Sequence, residues 1–179
     1  MRSLAYILLL FLIIAGCEEK NPPPIVERDP EGTIYPDREL WDAEIIFTED
    51  EQITSKLNAN YIAVFENQNL TVADSGFRLD IYDSQGNHTS YITADSGVVE
   101  SENRLLAYGD VYAVSEEGVV LRTERLRWDR ARQQIISDTN VVLTTETDTL
   151  YGEGLVSDES LENWEVVRPR GKTVRELER

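Results

Sequence analysis

The side chains here whose type and spacing could do chemistry are few. Cys17 is the single cysteine, which excludes an intrachain disulfide and a cysteine-rich metal site. His88 is the single histidine, so a histidine-rich metal centre is excluded and a Ser-His-Asp triad would have to use it. Its setting, Gly86-Asn87-His88-Thr89, reads as an exposed loop. The 34 acidic residues could supply a carboxylate pair for glycoside chemistry. Scattered on turns and outward strand positions, they read instead as a solvated surface. Arg122, Arg125, Arg127, Arg130 and Arg132 are the one basic concentration. They suit phosphates or a carboxylate-rich partner, but pairing with nearby Asp and Glu across strands is the simpler expectation. Trp41, Trp128 and Trp164 could line a groove, although in small β domains such rings more often fill the core or seal an end. No catalytic constellation or cofactor motif emerges, so the chain reads as a binding protein and not an enzyme.

Cys17 draws its meaning from its position. An apolar run from Leu4 to Ile14 follows Met1-Arg2-Ser3, and Ile14-Ala15-Gly16-Cys17 then gives way to Glu18-Glu19-Lys20. That is a secretory signal with its regions in order, shorter than the ~20 residues of a membrane span. The residues before the cysteine match a bacterial lipobox, so 1–16 read as a signal peptide and Cys17 as the lipidated residue, a membrane anchor. A bacterial origin discounts the glycosylation triplets Asn69-Leu70-Thr71 and Asn87-His88-Thr89. The formal charge of −17 argues against nucleic acid, which requires clustered Lys and Arg, and against lying flat on an anionic bilayer. The lipid would have to hold the chain at the membrane.

The elements that position these groups are expected to be short strands. Residues 17–39 carry five of the six prolines and read as an extended tether. From Leu40 to Val167 apolar and polar residues alternate between clusters of Gly, Asn, Asp and Ser, as in Phe77-Arg78-Leu79-Asp80-Ile81-Tyr82 before Asp83-Ser84-Gln85-Gly86-Asn87. Residues 168–179 form a charged tail whose end could make a short, fraying helix. An internal repeat runs through the strands. Ala59, Ala94, Thr123 and Gly152 each follow an apolar residue two positions earlier, at spacings of 35, 29 and 29. A period of this size means stacked or rolled β structure. The pleat puts Leu57 with Ala59, Ile92 with Ala94, Leu121 with Thr123 and Leu150 with Gly152 inward, and Asn58, Thr93, Arg122 and Tyr151 outward. Alternation of large and small inward residues is expected to leave a groove rather than a solid core.

The segments Glu44 to Thr48, Phe77 to Gly97, Leu126 to Asp138 and Gly152 to Leu155, in this order behind a short export anchor, resemble the LptC-type lipopolysaccharide-export proteins of the OstA/LptA superfamily. The resemblance covers roughly Leu40 to Val167 and implies an all-β, rolled antiparallel jellyroll. It also implies a periplasmic protein at the inner-membrane end of a transenvelope bridge. Such a protein receives lipopolysaccharide from the subunits of an ABC transporter and passes it to an LptA-like jellyroll through paired sheet edges. Many such proteins keep a transmembrane helix, whereas Cys17 here points to a lipid anchor. Under this reading the lipid groove is lined by Ile45, Phe47, Leu57, Ala59, Leu79, Ile81, Ile92, Ala94, Val111, Leu121, Thr123, Val141, Leu143 and Leu150. Two other classes stay open: a structural or adhesive β lipoprotein without cargo, and an exported carbohydrate-active enzyme. Co-purified lipid discriminates against the first, and hydrolysis of a glycan panel would favour the second.

Overall fold

The computed structural model describes residues 34–100 and 104–170. Residues 1–33 and 171–179 lie outside the described residues, and with them Cys17 and the segments expected to be the signal peptide, most of the tether and the C-terminal helix. Twelve strands follow one another: β1 (Arg38–Glu49), β2 (Gln52–Phe65), β3 (Leu70–Tyr82), β4 (His88–Ala94), β5 (Ser96–Glu100), β6 (Arg104–Ser115), β7 (Val120–Asp129), β8 (Gln134–Ser137), β9 (Val141–Thr144), β10 (Thr149–Gly152), β11 (Leu155–Asp158) and β12 (Trp164–Val166). Every pairing between them is antiparallel. Local chemistry makes the reversals. Asp83 accepts the Gln85 and Asn87 amides to close the β3–β4 turn, and Asn69 and Gln133 take left-handed backbone after single 3-10 turns. Among the described residues no helix is long and apolar enough to cross a membrane.

The long strands are shared between two half-sheets. The first half of β3 pairs with β5 and its second half with β4. β6 and β7 divide in the same way, β6 between β5 and β4 and β7 between β9 and β8. The sheet therefore folds along a corner that crosses every long strand, and its two inner faces share one hydrophobic cluster. This is a rolled antiparallel β-jellyroll. Two register shifts fall at the corner, between Ala59 and Tyr61 in β2 and between Tyr108 and Val111 in β6, where Gly109 and Asp110 have φ of 75° and 39°.

The internal repeat has a structural meaning in this frame. Ala59, Ala94, Thr123 and Gly152 all sit where the chain crosses the corner. The next inward residue follows after three positions instead of two, at Ile62, Gly97, Leu126 and Leu155. That extra residue reverses the pleat, so each of these four chain segments keeps an inward row on both half-sheets. Small side chains fit there because the two walls converge. A Cβ on Gly152 would overlap Val166 Cγ1 and lie 2.8 Å from the Val167 carbonyl oxygen. The interior is consequently a packed core, not the open groove that the large-small alternation suggested. The space left by small residues is filled by large partners, as at Phe77, the cross-strand neighbour of both Ala59 and Ala94.

Candidate functional site

The inner face of the first half-sheet is an unbroken apolar belt. Ile45, Leu57, Leu79, Ile92, Ala113, Leu121, Leu143 and Leu150 are cross-strand partners in turn, across eight strands. A second row runs along the corner: Ala59, Phe77 and Ala94, then Val111, Thr123, Val141 and Gly152. A third lies at the free tips, where Phe47, Ser55, Ile81, Ser90 and Ser115 succeed one another. All fourteen residues expected to line a groove fall on these three rows. Ile45, Phe47 and Leu150 are half-buried near the sheet's margins, and the other eleven are buried. Thr123 differs from its neighbours, because its hydroxyl is tied to Ser137 Oγ, Thr139 Oγ1 and the Asn140 carbonyl at the corner.

The second half-sheet supplies an opposite wall that the sequence reading left out. Ile62, Ala73, Gly97, Ala107 and Leu126 form one inward row, and Leu105, Trp128, Ile135, Ser157 and Trp164 another. The signal that could have found this wall is the three-residue step after each small corner residue. A strict period of two carried past the corner assigns Ile62 and Leu126 to the wrong face.

The tips of the two half-sheets meet at a mouth opposite the corner. Ser90 Oγ in β4 donates to the Glu159 carbonyl oxygen at 2.5 Å, and Trp128 Nε1 in β7 donates to Glu159 Oε1 at 2.6 Å. Arg130 reaches Glu49 at the end of β1 at 2.5 Å. A cleft of about 360 Å³ lies between these tips, lined by Thr54, Tyr82, Trp128, Arg130 and Glu159 among others. Burial pushes the Glu159 carboxyl above the usual range, opposed by the Trp128 hydrogen bond and the Arg130 charge. Leu161, in the same loop, is fully buried in the shared core at a φ of 57°.

The outer face of the first half-sheet carries the groups that had looked chemical. His88 is not a free loop residue. It opens β4, half-buried, with its two ring nitrogens on Asp80 and Glu116 and its ring edge against Tyr82. Burial pushes the Asp80 carboxyl up, but bonds and charge from Arg78, then from His88, outweigh it, so it titrates below the usual range. Arg78 also lies 3.6 Å above the Tyr91 ring. The basic group is dispersed: Arg122 pairs with Asp110, Arg125 with Asp138, Arg130 with Glu49 and Arg132 with Asp129. Trp128 is buried at the mouth, Trp164 is half-buried, and Trp41 is 65% exposed against Tyr61.

Among the described residues this arrangement offers an apolar core shared by the two half-sheets and no nucleophile–base pair. The family profile described as lipopolysaccharide-assembly, LptC-related, matches residues 5–168. The chain belongs to the LptC-related family. No curated protein matches it significantly. Among solved structures it is similar to LptH of Pseudomonas aeruginosa, described as the LptA-homologous periplasmic component of the lipopolysaccharide transport device. The TM-score is 0.53 and the identity 14%, over 72% of this chain and 91% of that one. At that identity the likeness shows a shared jellyroll fold. The resemblance noted in the sequence to LptC-type proteins thus stands, and this LptC-family chain is a lipopolysaccharide-assembly protein by family.

Proposed function

We propose that this chain is a non-enzymatic lipopolysaccharide-binding component of transenvelope export. It stands on the periplasmic side, held by a lipid on Cys17 with the inner membrane favoured. It receives lipopolysaccharide from the ABC transporter subunits and hands it to an LptA-like jellyroll. The observation that carries the reading is membership of the LptC-related family by a jellyroll whose two facing inner walls are apolar, the surfaces that acyl chains would meet once the walls part. The fourteen inward residues, from Ile45 through Leu150, form one wall of that site, and the row through Ile62 and Leu126 forms the other. Among the described residues β1 pairs only with β2, which leaves a strand edge for a neighbouring jellyroll.

The closed packing of the core also favours a second reading, a cargo-free scaffold acting through its sheet edges. Extraction of the chain purified from its own envelope separates the two. Stoichiometric lipopolysaccharide in the extract supports the transport reading, and a lipid-free chain that retains its protein partners supports the scaffold.

A further inference from the structure

Within that lipid-binding reading, the closed mouth raises the question of where an acyl chain first enters. The β11–β12 loop is built as a single unit. Asp158 Oδ1 accepts from Ser160 Oγ and the Glu162 amide, and Asp158 Oδ2 accepts from the Asn163 amide and its side chain. The loop inserts one apolar side chain, Leu161, fully into the core, with left-handed backbone that a leucine rarely adopts. Such strain persists only while surrounding contacts enforce it. Two of those contacts are hydrogen bonds on Glu159, one from each half-sheet. Beside them, two strands from Ser90 in the tip row, Ser55 Oγ is buried without a hydrogen-bond partner among the described residues.

We propose that Leu161 is a displaceable plug occupying the first acyl-chain subsite of the interior. A chain arriving at the mouth takes the place of Leu161 in the core. The cleft between Thr54, Tyr82, Arg130 and Glu159 then holds the oxygen-rich part of the amphiphile next to that chain. Ser55 Oγ donates to an ester or amide carbonyl at the head of the chain, which ends its unpaired state. The exchange is balanced in apolar burial once roughly four methylenes enter, the equivalent of one leucine side chain. The loop keeps its shape as it swings out, because the side-chain oxygens of Asp158 at the end of β11 hold Ser160, Glu162 and Asn163 together, and leaving relieves the strain at Leu161.

The test uses the full chain with a benzophenone-bearing phenylalanine at position 47, a half-buried inward site in the tip row, and purified lipopolysaccharide. The rate of photo-adduct formation is compared for the otherwise unchanged chain, Leu161→Ala, and Ser90→Ala, which releases Glu159 without emptying the core. Urea midpoints identify the folded variants. Adducts forming roughly tenfold faster in the folded variants, as the open population rises, support the plug. Adducts forming at the same or a lower rate in both variants overturn it and leave the lipid-binding reading standing. Absence of adduct in every chain overturns both.

Discussion

Replacing Ile92 with alanine distinguishes a packed interior from an open groove. Ile92 is fully buried at the centre of the first half-sheet, flanked by Leu79 on β3 and Ala113 on β6. Both neighbours are fixed by ladder hydrogen bonds, and Ala113 is too small to lean into the vacated space. Truncating a buried Ile, Leu or Met to alanine costs about 2–5 kcal/mol, more where the site cannot collapse. The geometry here places Ile92→Ala near ~4 kcal/mol. With a urea m-value of ~2 kcal/mol/M, the midpoint should fall by about 2 M. Thr93→Ala, on the opposite face, should change stability by less than ~0.5 kcal/mol. Equilibrium urea unfolding followed by tryptophan fluorescence measures both. A loss below ~1 kcal/mol for Ile92→Ala would refute the packed core, and a larger loss for Thr93→Ala would refute the pleat.

Gly152→Ala should cost about 1–3 kcal/mol, because its Cβ meets Val166 and the Val167 carbonyl and must push the last strand away; an unchanged urea midpoint would contradict this. Glu159→Gln keeps an oxygen acceptor for Trp128 but cannot ionise. The folded-state pKa of Glu159 is raised, so burial of its charge costs nothing below the unfolded value of about 4.3 and costs progressively more as pH rises through the folded value. The variant should therefore gain stability over the parent from acid to neutral pH, and a flat difference between their stability profiles would count against a buried charge. The Asp80 carboxyl is depressed, so its contribution is present above the unfolded value of about 3.9 and lost as pH falls through the folded one. Asp80→Asn should accordingly be destabilising at pH 7 and progressively less so as the pH falls below about 3.9, as judged by thermal melts.

The all-β class was legible because alternation between polar and apolar residues is strict wherever a strand lies on the first half-sheet, as from Phe77 to Tyr82. The repeat of small residues was legible too, but its meaning was not. Ala59, Ala94, Thr123 and Gly152 looked like gaps lining a groove, whereas they are the points at which the chain turns from one wall to the other. The second wall was missed because the pleat reverses there after a three-residue step, which a period of two cannot follow. Leu161 lies between strands, in Asp158-Glu159-Ser160-Leu161-Glu162-Asn163, where an isolated leucine carries no periodic signal. His88 was read from its turn-like neighbours, yet its partners Asp80 and Glu116 come from two other strands or their ends, a proximity that only the antiparallel register creates.

The most direct test of a lipid-carrying interior is a small diazirine amino acid placed singly at Ile92 and Leu126, one on each inner wall, and at their outward neighbours Thr93 and Arg127. Each full-length variant is irradiated in the native host. A lipopolysaccharide-sized adduct is expected at both inward positions and at neither outward one. Adducts confined to the outward positions, or none at any position in a folded and expressed chain, would contradict it.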